Sequence, residues 1–144
     1  MTSINKFKDL INPWIPVLSD EMLAIALNGK VDCKGSPVHH KIQRACLTAA
    51  WAAASYGAFL EADEERGHKY LETALMFYRA CFDSTTPETI WALILLSLIN
   101  DHLGNIEKLR LYTGFADVIY RTVLGSNFKE PRLPVCIQFL KTLA

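Results

Sequence analysis

The chain has 144 residues, 51% hydrophobic and 21% charged, the composition of one ordinary globular domain rather than of a disordered or low-complexity segment. Fifteen basic residues balance fifteen acidic ones, and each half is balanced too, with eight and nine in residues 1–72 and seven and six in 73–144. That excludes a binder that holds nucleic acid by bulk charge, which needs a large positive excess to displace counterions, though not a local basic patch.

Ser3 to Ile11 reads as a short helix ended by Asn12-Pro13. The next segment, Pro13-Trp14-Ile15-Pro16-Val17-Leu18, is held extended by its two prolines, and its apolar residues need a surface to dock on. Ser19 is a good N-cap for a helix over Asp20–Asn28, and Gly29 stops it. Residues 29–36 read as a polar loop. Ser36-Pro37 restarts a helix that runs to about Leu60, with Ile42, Ala45, Cys46, Ala49, Ala50, Ala53 and Ala54 at three- and four-residue steps. Such a stripe of small side chains lets another backbone come close and places this helix at the centre of a packed array.

A turn at Ala62-Asp63 leads to an amphipathic helix over Glu64–Phe82. Its inner residues are Tyr70, Leu71, Ala74, Leu75, Phe77, Tyr78 and Cys81, and its outer ones Glu65, Lys69, Glu72 and Arg79. After a turn at Asp83–Thr86, Thr86-Pro87 starts a helix that is apolar on nearly all sides from Ile90 to Leu103. Gly104 suits a left-handed stop, and Asn105 caps the next helix, Ile106–Leu124, which Gly125 ends. The inner stripe of that helix is Ile106, Leu109, Tyr112, Thr113, Ala116, Ile119, Tyr120 and Val123, and Lys108, Arg110, Asp117 and Arg121 occupy the other side. Pro131 and Pro134 interrupt the tail, and Val135–Leu143 makes a last short helix. Short connections between long helices predict an all-α fold of antiparallel helical hairpins, as a bundle or a short solenoid-like array in a single domain. No fixed-period internal repeat is evident.

The N-terminus lacks the apolar core of a secretory signal. The longest uncharged run, Ala45–Leu60, is Ala-rich and sixteen residues long, short of the roughly 18–20 that span a bilayer. Together these read as a soluble, intracellular chain. Cys33, Cys46, Cys81 and Cys136 stand too far apart for a zinc knuckle or redox dithiol and read as reduced structural thiols. His39 and His40 point about 100° apart on a helix and have no ligand partner at the next turn, so no metal site is expected. His102 suits the negative end of its helix. Asp63-Glu64-Glu65 opens a helix rather than forming a calcium loop. No nucleophile elbow, phosphate loop or metalloprotease motif is present, so neither an enzyme nor a cofactor is expected.

One long pattern does stand out. Thr86-Pro87-Glu88-Thr89 opens a Leu-rich helix; Leu103-Gly104-Asn105-Ile106-Glu107-Lys108 makes a turn; Tyr112-Thr113-Gly114-Phe115-Ala116 follows, then Leu124-Gly125. This order resembles the fungal-type transcription factor regulatory domain, the middle homology region of six-cysteine zinc-cluster factors. Pro13–Leu18 and the Ala-rich helix after Ser36-Pro37 resemble that family's opening, so the likeness covers about residues 11–125. Residues 126–144 diverge from the family's basic, Trp-containing continuation, and the six-cysteine cluster is absent. The chain therefore reads as a truncated or stand-alone relative that does not bind DNA through that module.

The resemblance implies a non-enzymatic regulatory domain, nuclear, that engages a protein partner or a small-molecule effector, with homodimerisation open. Residues expected to line a cleft are Trp51, Trp91, His102 and Tyr112. The alternative is a cytoplasmic, stand-alone helical-repeat-like adaptor that grips a peptide or partner helix.

Overall fold

The computed structural model describes residues 37–124 and 132–143. The helices expected over Ser3–Ile11 and Asp20–Asn28, the Pro13–Leu18 segment, Cys33 and the Gly125 stop lie outside these residues, as do the side chains of His39 and His40. The described residues form five helices and no strand: α1 (Pro37–Leu60), α2 (Glu64–Tyr78), α3 (Pro87–His102), α4 (Ile106–Leu124) and α5 (Arg132–Leu143). The fold is all-α. α1 pairs with α2, and α3 with α4; the pairs join where α1 packs on α3, while α5 rests against α3 and α4.

α1 and α3 are the inner helices, and composition explains why. In α3 every residue from Thr89 through Asn100 is buried. Such a helix is stable only with neighbours on several sides. α1 meets α2 on one side and α3 on another, which buries Ala45, Ala49, Ala52, Ala53, Ala54 and Ala58 completely. Alanine allows this because it adds no bulk between backbones and loses no side-chain freedom. Two hydroxyls tie the layers. Ser55 Oγ donates to the Gly67 carbonyl at 2.6 Å across α1 and α2. Thr113 Oγ1 donates to Ser97 Oγ at 3.3 Å across α3 and α4, and Ser97 in turn donates to the Leu93 carbonyl at 2.8 Å.

Both interhelical turns within the pairs close by one backbone motif. After α1, the Asp63 amide donates to the Ala58 carbonyl at 2.9 Å and the Ala62 amide to the Phe59 carbonyl at 3.0 Å. After α3, the Asn105 amide donates to the Asn100 carbonyl at 2.8 Å and the Gly104 amide to the Asp101 carbonyl at 3.1 Å. These are Schellman closures, which need a left-handed residue at the penultimate position. Gly104 supplies it at φ 75°, as its sequence position suggested; Ala62 supplies it at φ 60°. The side chains that follow cap the next helices. Asp63 Oδ1 accepts from the Arg66 amide and Asn105 Oδ1 from the Lys108 amide, each at 3.2 Å.

The Thr86-Pro87 start of α3 is borne out, and three expectations are corrected. α2 ends at Tyr78 rather than Phe82. Beyond it, amides bond carbonyls three residues back, Ala80 to Phe77 and Cys81 to Tyr78, so the chain tightens into turns that bury Cys81 and turn Phe82 outward. Thr86 occupies the N-cap of α3 but makes no side-chain cap bond; its hydroxyl pairs with the Thr89 hydroxyl at 3.1 Å and accepts from Ser84 at 3.4 Å. α5 begins at Arg132 and takes Pro134 into its first turn, where the missing amide would have had no intrahelical partner. Ile106 is 52% exposed, because it opens α4 beyond the reach of α3.

Candidate functional site

The four residues expected to line a cleft fall at separate places. Trp91 is buried in the core from the first turns of α3. Trp51, on α1, is half-buried, with its ring 5.4 Å from that of Tyr70 on α2. His102 is exposed at the end of α3, its ring 5.6 Å from Phe59 and 6.0 Å from Tyr56. Tyr112 on α4 is half-buried and meets the Tyr78 ring edge-on at 6.1 Å. His102 lies in the last turn of α3, where its sequence position put it.

His68 approaches Phe59 edge-on at 5.1 Å, so two imidazoles meet the Phe59 ring. At the opening turn of α3, one carboxylate oxygen of Glu88 is buried with no partner among the described residues, a place where the helix dipole favours negative charge. Among the described residues, no three His, Cys, Asp or Glu side chains gather as a metal ion requires, and no helix is long and apolar enough to cross a membrane.

The surface feature the four residues did not anticipate is the outer face of α4. Leu111, Phe115 and Val118 are 49%, 44% and 64% exposed. With Thr122 they step by four, three and four residues, and so form a second stripe opposite the core stripe of Leu109, Thr113 and Ala116. Phe115 and Val118 also meet Tyr78, Phe82, Asp83 and Ile119 around an apolar groove of about 430 Å³ between the end of α2 and α4. Phe82 is 62% exposed at its rim. A second apolar patch lies on α5, lined by Pro134, Val135, Gln138, Phe139 and Thr142.

The charges around the groove are quiet. Lys41 Nζ sits 2.9 Å from Asp83 Oδ2, and this hydrogen-bonded pairing lowers the Asp83 carboxyl below its ordinary range. Burial, then the neighbouring Tyr112 and Cys81, pushes the Tyr78 hydroxyl up to about 12. Burial raises Tyr112 as well. Both phenols are thus neutral at ordinary pH, and the groove offers rings and methyls rather than charge. Cys81 is a buried free thiol whose ionisation is raised chiefly by burial, partly offset by the Thr48 hydroxyl, 3.9 Å from its sulfur. That is the environment of an inert structural cysteine.

The signal for the outer face was present in the sequence. Leu111, Phe115 and Val118 follow the same three-to-four spacing as the inner stripe. A helix with two apolar stripes is apolar toward its core and toward something else. No known family model matches the chain, and neither do curated proteins or solved structures.

Proposed function

We propose that the chain is a non-enzymatic regulatory and interaction domain of a transcription factor, acting through a partner that packs on its helices. The observation that carries the interaction reading is the exposed apolar face of α4. An isolated surface Leu or Phe is ordinary, but a contiguous helical stripe of them signals an interaction surface. The transcription-factor part rests on the ordered resemblance: the Thr86-Pro87 start, the Leu103-Gly104-Asn105 turn and the Tyr112-Thr113-Gly114-Phe115-Ala116 helix. The hairpins of the fold agree with that pattern, since Gly104 is left-handed and Asn105 caps α4. Nuclear residence and response to a small-molecule effector belong to the same proposal.

The test is an immunoblot of fractionated source cells with an antibody to this chain. A band larger than 16.2 kDa in the nuclear fraction supports the regulatory piece of a longer factor. A band at 16.2 kDa confined to cytosol refutes it and leaves the adaptor reading, which the Tyr78–Phe82–Phe115–Val118 groove favours as a peptide seat.

A further inference from the structure

We infer that the outer face of α4 is a self-association surface, and that its occupant is α4 of a second copy of this chain packed antiparallel about Gly114. The inference rests on the interaction reading above and names the partner.

The first observation is Gly114 itself. It lies mid-way along α4 and is exposed, and a Cβ built on it meets nothing within 4 Å. Nothing among the described residues calls for glycine there, although glycine costs an exposed helix interior about 1 kcal/mol relative to alanine. A glycine beside an apolar stripe lets another helix approach closely. The stripe of Leu111, Phe115, Val118 and Thr122 borders it on one side.

The second observation is charge. At about 100° per residue, Glu107, Gly114 and Arg121 fall on one flank of the stripe, within about 40° of arc. Glu107 and Arg121 are each seven residues from Gly114. Two antiparallel helices related by a two-fold axis through Gly114 keep this flank on the same side, so Glu107 of each copy faces Arg121 of the other. The same register sets Leu111 against Val118, the two Gly114 backbones against each other on this flank, and the two Phe115 rings against each other on the opposite flank. The surface is therefore its own complement, as an isologous interface requires. A parallel pair in register would put Glu107 against Glu107 and Arg121 against Arg121.

Arg121 is able to take this second acid. It bonds Asp117 at 2.9 Å, but its side chain is 71% exposed, and Asp117 keeps Lys141 of α5 at 3.1 Å when Arg121 turns outward. The patch is one helix wide, which places it at the small, weakly associating end of specific interfaces.

The experiment is sedimentation equilibrium of the full chain from low to high micromolar concentration, with circular dichroism of each variant to confirm the fold. Wild type should move from monomer to dimer across that range. Glu107→Arg and Arg121→Glu should each weaken association by about tenfold or more, through two repelled contacts per dimer. The double variant Glu107→Arg with Arg121→Glu should restore it. Gly114→Leu, which fills the crossing point, should leave a folded monomer. A monomeric wild type throughout overturns the inference, as does a dimer indifferent to both single reversals or a double variant no better than either. Because the readout is association alone, a monomeric chain found within a larger nuclear polypeptide refutes the α4 pairing and leaves the proposed function standing.

Discussion

Replacing Gly67 by alanine sets two effects of known sign against each other. In an exposed helix interior the change should stabilise by about 1 kcal/mol, since glycine gives up more backbone freedom on folding. Gly67 is buried where α2 crosses α1, and a Cβ there would lie 2.6 to 2.8 Å from three atoms of the Phe59 ring. Real Cβ atoms do not come that close to carbon, so something must shift. Phe59 is 5% exposed, so its ring is held in the packed interior and has little room to yield. The helices would have to part, which would also stretch the 2.6 Å bond from Ser55 to the Gly67 carbonyl.

Overpacking of this kind costs about 1–3 kcal/mol, and losing the buried bond adds roughly 1. Set against the propensity gain, the net is a destabilisation of about 1–3 kcal/mol. For a domain of this size that is a fall in melting temperature of about 3–12 °C. The assay is urea and thermal unfolding followed by circular dichroism. A second variant checks the mechanism: Gly67→Ala combined with Phe59→Leu should be less destabilised than the sum of the two single changes, because the smaller side chain removes the clash. A Gly67→Ala protein as stable as wild type refutes a close α1–α2 crossing at Gly67, and strict additivity refutes Phe59 as the residue that makes it tight.

The same substitution at Gly114, where a Cβ meets only open space, should raise stability by up to about 1 kcal/mol when measured at a concentration where the chain is monomeric. The two Schellman turns predict opposite signs: Ala62→Gly relieves a left-handed alanine and should stabilise by about 0.5–1 kcal/mol, while Gly104→Ala should cost about 1 kcal/mol, both read from urea midpoints. Ala53 is fully buried in α1, so Ala53→Leu should destabilise by about 1–3 kcal/mol, and an unchanged melt would mean the Ala stripe is not packed. Burial raises the Tyr78 hydroxyl to about 12 in the folded chain, whereas the unfolded value is about 10. Its contribution is fully present below pH 10 and is lost as pH rises from about 10 toward 12, because the unfolded chain releases the proton first. Tyr78→Phe should therefore flatten the alkaline fall in stability over that window, and an identical fall in both proteins would contradict the assignment.

Much of the fold was legible because its signals are local. Pro37 at a first helical position, Gly104 before Asn105, and apolar residues at helical steps fix boundaries through backbone chemistry that needs no distant partner. The misreadings occurred where local chemistry was overruled. Nothing in the sequence marks Ala62 as left-handed, because alanine carries no such preference; the closure onto Ala58 and Phe59 imposes it. Tyr78 ends α2 although Cys81 keeps the helical spacing, because the chain there tightens to carry Cys81 inward and lead into α3.

The functional surface divides along the same line. The sequence by itself determined that this is an all-helical chain with two inner helices, Ala-rich α1 and Leu-rich α3, since only burial on several sides suits such compositions. It also contained both stripes of α4. Only the tertiary structure decided that Trp51, Trp91, His102 and Tyr112 sit apart, and that Leu111, Phe115 and Val118, on the side of α4 away from the core, stay exposed beside Gly114. Periodicity reports which residues share a helix face, but which face finds a partner depends on contacts between residues far apart in the chain.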